Sequence, residues 1–100
     1  EKNMSIKFEL KDKTGRKLRM TDWNWMHIIR RHPEITSEKE KIIGTLENPD
    51  KITSSLKDEN VKYYYKYYKY KSPNNFMMVL VKYLNGDGFI ISSHFVSKIK

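Results

Sequence analysis

The chain has 100 residues and no cysteine, enough for one domain with a modest core but excluding a disulfide framework, a thiolate metal site and a cysteine nucleophile. No apolar run approaches the roughly 18 residues of a membrane span, and the start does not resemble a signal peptide. The net charge of +8 suits a nucleic acid or another anionic partner.

In chain order, Ile6 to Leu10 alternates apolar with charged residues and predicts a strand. Asp12-Lys13-Thr14-Gly15 is turn chemistry, with Gly15 free to adopt positive φ. Lys17 to Thr21 alternates again, which predicts a hairpin whose Arg16, Lys17 and Arg19 face solvent. A helix follows, capped by Thr21 or Asp22. Trp25, Ile28, Ile29 and His32 share one side of it, and Trp23, His27, Arg30 and Arg31 another. Pro33 disfavours helical geometry at His32 and ends the helix there. Ser37 and Glu40 have the spacing of a capping box for a second helix with Ile42, Ile43 and Leu46 on its apolar face, stopped by Asn48-Pro49-Asp50. Ile52 begins a strand that leads to a polar loop at Lys57 to Asn60.

Three β-like segments close the chain. Val61 to Tyr70 is the first, and it overlaps the run Lys62 to Lys71, six tyrosines and four lysines. Tyr63, Tyr65 and Tyr67 share one parity and Tyr64, Lys66 and Tyr68 the other, so a strand here is aromatic on both faces. Phe76 to Leu84 is nearly all apolar and predicts a central strand, with Lys82 its one charge. Asn85 to Gly88 is a hairpin turn, and Phe89 to Val96 is the last strand. Alternation places Ile90, Ser92, His94 and Val96 on one face of it and Phe89, Ile91, Ser93 and Phe95 on the other. The order β-β-α-α-β-β-β predicts an α+β domain, an N-terminal hairpin and helices packed on one face of an antiparallel sheet, spanning residues 1–100 as one unit. Glu1 as first residue suits a trimmed chain or the C-terminal part of a longer one.

Charge and chemistry concentrate unevenly. Residues 1–50 carry eleven Lys/Arg against nine Asp/Glu, and residues 51–100 nine against three. The basic half reads as strands, without the amphipathic helical stripe of a membrane-surface segment. In the tyrosine run, rings offer π-faces to bases and lysines offer charge to phosphates, so Tyr63, Tyr65, Lys66 and Tyr67 are candidate nucleic-acid contacts. The plainer reading is a tyrosine-rich strand that covers a core, with lysines guarding against aggregation. The three histidines are the side chains that titrate near neutrality. His27 and His32 flank Arg30 and Arg31 in HIIRRHPE, a combination able to move protons and hold phosphate. Their i, i+5 spacing separates them by about 140° on a regular helix, so they meet one substrate together only if the helix unwinds at His32. Taken alone, each is more often a structural histidine or a helix cap. Ser92 and His94 are i, i+2 neighbours, and Lys82 joins them around one phosphate if it lies on the adjacent strand and the same face. No metal-binding spacing, phosphate-binding glycine loop or serine-nucleophile elbow is present.

These segments resemble a family. Trp25-Met26-His27-Ile28-Ile29-Arg30-Arg31-His32-Pro33-Glu34 is similar to the HI…RHPE helix motif of the barnase–EndoU–colicin–RelE-like nucleases, particularly those of phage and mobile elements. Ile43-Gly44-Thr45-Leu46-Glu47-Asn48-Pro49-Asp50-Lys51-Ile52 resembles the stretch that follows, and Ile90-Ile91-Ser92-Ser93-His94 resembles the family's terminal strand, with serine for its threonine and His94 for its tyrosine. The resemblance implies a fold of the RNase and RelE kind and a metal-independent ribonuclease of toxin or effector type, needing no cofactor. It would act in a cytoplasm, its own or that of a target cell. His27, His32, Lys82, Ser92 and His94 would be catalytic, with Arg30 and Arg31 on the phosphates. RNA would be cleaved by attack of its 2′-OH, leaving a 2′,3′-cyclic phosphate. An acidic immunity or antitoxin protein is the expected partner of so basic a toxin. The alternative is a domain of the same fold that binds single-stranded nucleic acid or a protein without cutting.

Overall fold

Apolar alternation and turn residues produce the expected elements in a computed structural model that describes residues 5–100. They run β1 (Ile6–Lys11), β2 (Lys17–Thr21), α1 (Asp22–Arg31), a 3-10 turn (Pro33–Ser37), α2 (Lys39–Glu47), β3 (Lys51–Ser54), β4 (Val61–Tyr67), β5 (Phe76–Leu84) and β6 (Asp87–Val96). The fold is α+β: two helices pack on a six-stranded sheet of order β1-β2-β6-β5-β4-β3. The sheet is mixed, not wholly antiparallel. β2 and β6 pair in parallel, Leu18 beside Gly88 and Arg19 beside Phe89, because the chain leaves β2 through both helices and three strands before returning to its side. A Cβ on Gly88 would lie 2.7 Å from the Lys82 carbonyl oxygen and 2.8 Å from Leu18 Cδ2, so the junction closes only around a glycine.

Local chemistry sets the helix ends. Thr21 Oγ1 accepts from the Asn24 N–H at 3.0 Å, capping α1, a contact worth about 1 kcal/mol. The His32 N–H still reaches the Ile28 carbonyl at 2.8 Å, but Pro33 forces His32 to φ −134 and ψ 75, and the helix stops. The capping box expected at Ser37 and Glu40 does not form. Pro33 starts a 3-10 turn that ends at Ser37 and buries Ile35 completely, so α2 starts one residue later behind Glu38. The Glu38 carboxylate turns inward to Lys41 at 3.0 Å and Lys71 at 2.5 Å. Burial works against its charge, but those two lysines prevail and hold the carboxyl below its ordinary range.

β4 ends at Tyr67, short of the expected Tyr70. The Tyr67 N–H is taken by the Asp50 carboxylate at 2.7 Å, the Tyr68 N–H by the Asn75 carbonyl, and the chain turns at Tyr70 with φ 66. Between β5 and β6, Asn85 and Gly86 both have positive φ, the two-residue hairpin that an Asn-Gly pair favours. Alternation in β6 is broken by a bulge: Leu80 pairs Ser92 while Val81 pairs Ile90, leaving Ile91 as the extra residue. The bulge moves Ile90 onto the face of Ser93 and Phe95, against the helices, and keeps Ser92 with His94 on the other.

Trp25 and Ile28 of α1, Ile35, and Ile42 and Leu46 of α2 bury one sheet face, represented by Leu18, Met20, Tyr64, Met77, Val79 and Val81. Within this core lies a polar knot. Asp12 Oδ1 organises the first hairpin, accepting from the Thr14 N–H at 2.8 Å, the Thr14 hydroxyl at 2.6 Å and the Arg16 N–H at 3.1 Å. Its Oδ2 accepts from the Tyr83 hydroxyl and, at 3.3 Å, the Tyr64 hydroxyl. The Arg16 guanidinium covers the Tyr83 ring at 3.4 Å. Burial tends to raise the Asp12 carboxyl, but these hydrogen bonds together outweigh it and hold it below its ordinary range. Burial and the neighbouring carboxylate push the Tyr83 phenol far up.

Candidate nucleic-acid site

The sheet face away from the helices carries the odd tyrosines of β4. One row runs Lys51, Tyr65, Met78, His94 across β3, β4, β5 and β6, and the next runs Thr53, Tyr63, Leu80, Ser92. On this face lies a groove of about 720 Å3, within the roughly 300–1,000 Å3 of small-molecule sites. Tyr63, Tyr65, Met78 and His94 line it, with Thr53 and Ser54 from the end of β3, Ser55 to Lys57 from the β3–β4 connection, and Val96, Lys98 and Lys100 from the end of the chain. Three lysines and no carboxylate stand among these described lining residues.

At the β6 side of the groove two histidines meet. His32, at the end of α1, stacks on His94 with ring centroids 4.4 Å apart and planes 12° from parallel. The meeting depends on Pro33, which ends α1 and turns His32 out of helical geometry. Glu34 Oε2 lies 3.8 Å from His32 Nδ1, an ion pair whenever His32 is protonated. His94 Nδ1 is buried and has no hydrogen-bond partner among the described residues. Burial chiefly, and the nearby His32 charge next, push His94 below the usual histidine range, with Glu34 opposing. Two imidazolium charges at this separation repel by about 4 kcal/mol at an effective dielectric of 20. The pair therefore holds one proton far more readily than two.

The remaining expected site residues fall differently. His27 is exposed and packs edge-on against Trp23 at 4.7 Å, beside Met26 and Arg30 in a shallow pocket on α1. It does not join His32, because α1 stays regular from Asp22 to Arg31 and directs the two imidazoles apart. Arg30 and Arg31 are exposed in the last turn of α1, where their charge suits the helix dipole. Lys82 shares the groove's face by alternation but pairs with Asp58 at 3.1 Å. It lies four residues along β5 from Met78, about 13 Å from the His94 row. The Asn60 N–H first, and Lys82 next, lower the Asp58 carboxyl. Ser92 is on the His94 face one pair away, opposite Leu80.

The tyrosine run divides. Tyr64 is fully buried in the helix-side core, and Tyr65 is only 3% exposed beneath the groove. Tyr63 is half-buried along the groove, and Tyr67, 51% exposed, sits edge-on to Phe76 at 5.6 Å. Tyr63 is thus the accessible ring on the groove, Tyr67 and the 95% exposed Tyr70 are accessible outside its lining, and Tyr65 supplies floor. Lys66 has the opposite parity and donates to the Asn48 carbonyl at 3.0 Å, tying β4 to the end of α2. The sequence reading overlooked Lys57, Lys98, Lys100 and Glu34 as site residues. The alternating lysines of Lys98-Ile99-Lys100 were the available signal.

Among the described residues no three His, Asp or Glu side chains cluster to hold a metal, and no helix is long and apolar enough to cross a membrane. Compared with known proteins, the chain matches no family model, no curated protein and no solved structure.

Proposed function

We propose that this domain is a metal-independent ribonuclease of toxin or effector type, acting on single-stranded RNA laid along the groove. The observation that carries the reading is the stacked His32–His94 pair beside a tyrosine-floored, lysine-rimmed groove with no carboxylate among its described lining residues. Transesterification needs a proton acceptor at the 2′-OH, a proton for the departing oxygen and cations for the phosphorane. An imidazole takes the 2′-OH proton, O2′ bonds to phosphorus, the P–O5′ bond breaks, and a histidine-held proton ends on O5′. The products are a 2′,3′-cyclic phosphate and a 5′-hydroxyl. Lys57, Lys98 and Lys100 supply positive charge along the strand, and Tyr63 and Tyr67 face its bases. A cytoplasm is where such RNA is met, and an acidic antidote protein is the partner this charge would recruit.

The test is incubation of the purified domain with total RNA and a labelled oligonucleotide in EDTA, beside His27→Ala, His32→Ala and His94→Ala. Loss of about 10²-fold or more in the last two, with His27→Ala still active, is expected. Activity unaffected by His32→Ala removes the pair from the mechanism. The same groove also supports a binding module that does not cut, and RNA binding without cleavage by the wild type selects that reading.

A further inference from the structure

We infer that His94 works as a neutral imidazole protonated at Nε2, donating a hydrogen bond to a non-bridging phosphoryl oxygen, while His32 alone exchanges the proton. The inference rests on the ribonuclease reading and divides labour within its histidine pair. Its basis is the buried Nδ1 of His94, which meets no partner among the described residues. A neutral imidazole carries its one N–H on either nitrogen. Placing it on Nδ1 would bury an orphan donor, and buried orphan N–H groups are rarer than under-satisfied acceptors. The proton therefore sits on Nε2 and leaves Nδ1 a bare lone pair. Charging the ring would add the missing Nδ1–H in the same buried place and set a positive charge 4.4 Å from the stacked His32 ring.

The other groups around the ring do not rescue that state. Tyr65 and the lysines 57, 98 and 100 share its groove, and none brings a carboxylate. The one carboxylate of the pair is Glu34, and it lies 3.8 Å from His32 Nδ1. Proton exchange thus falls to His32, whose charged form has a partner. His32 takes the 2′-OH proton as the O2′–P bond forms and, as imidazolium, returns it to O5′ as the P–O5′ bond breaks. His94 transfers no proton in either step and steadies the charge that builds on the phosphorane.

The experiment reads the imidazole nitrogens of the whole domain by 15N NMR between pH 5 and 8, with the His94→Gln, His94→Ala and His32→Gln proteins assayed beside it. The expected spectrum shows His94 in the Nε2–H form across the range. Glutamine keeps an amide N–H in place of Nε2–H, so His94→Gln retains cleavage within about tenfold of wild type, whereas His94→Ala loses about 10²–10³-fold, the cost of one donor to a developing oxyanion. His32→Gln abolishes cleavage. A spectrum with Nδ1–H at His94, or with His94 protonating in this range, overturns the inference, as does His94→Gln falling with His94→Ala. If the wild type cuts no RNA, the ribonuclease reading fails by itself. The donor role is then decided with inorganic phosphate, which must shift the His94 Nε2–H proton signal for the inference to stand.

Discussion

Asp12 is one side chain holding two structures together, the first hairpin through Oδ1 and the phenols of Tyr64 and Tyr83 through Oδ2. Sequence reading saw a turn residue there, because Asx chemistry is local. It missed the second role, because the tyrosines lie 52 and 71 residues away. Replacing Asp12 by alanine leaves the Tyr64 and Tyr83 hydroxyls, 2.6 Å apart, with one acceptor between them, so one buried donor is orphaned and a urea titration should show about 1–3 kcal/mol less stability. The pH dependence has a fixed sign. The folded carboxyl lies below its ordinary value of 3.8, so its contribution is complete above that value and disappears as pH falls through the lower folded one. Asp12→Asn should flatten that part of the acid-unfolding curve. His94 acts in the same direction at a higher pH. Its imidazole is depressed below 6.5 in the fold, so the unfolded chain binds the proton first and stability declines as pH drops below about 6.5. His94→Gln should remove that decline, which thermal melts between pH 7.5 and 5 would reveal.

At the scale of elements, most strands and both helices were legible because their period is written in the apolar residues. Thr21, Pro33 and the Asn85-Gly86 pair marked boundaries that the structure keeps. Three features needed partners that a local pattern does not carry. The capping box lost to the 3-10 turn that runs through Ser37 and puts Glu38 at the start of α2, its carboxylate held by Lys71, a residue 33 positions away. The tyrosine strand stopped early because the Asp50 carboxylate took the Tyr67 N–H. The bulge at Ile91 changed the parity of β6 midway, placing Ile90 in the core and leaving the Ser92–His94 face intact. The parallel β2–β6 junction has its own test. Gly88→Ala puts a methyl against a backbone carbonyl and Leu18, and overpacking of this kind costs about 1–3 kcal/mol. A midpoint unchanged in the urea titration of Gly88→Ala would mean that β2 and β6 separate without penalty.

At the scale of the whole molecule, the +8 charge acts through where its lysines stand. Lys57, Lys98 and Lys100 rim the groove, whereas Lys66, Lys71 and Lys82 are committed to Asn48, Glu38 and Asp58. Replacing the first three by glutamine should reduce the slope of log affinity against log salt for a single-stranded oligonucleotide by about 2, at roughly 0.7 per phosphate contact. The same exchange at Lys66, Lys71 and Lys82 should alter stability more than that slope. The α+β class, the order of elements, the basic second half and the inventory of three histidines are legible in the residues alone, because period, turn chemistry and composition are local properties. Which histidines meet and which tyrosines stay accessible depends on contacts made across the fold. His32 and His94 are 62 positions apart and come together because one ends a helix that flanks the strand carrying the other. Tyr64 and Tyr65 are neighbours in sequence and lie on opposite faces of one sheet, since the pleat alternates and only one face is covered by helices.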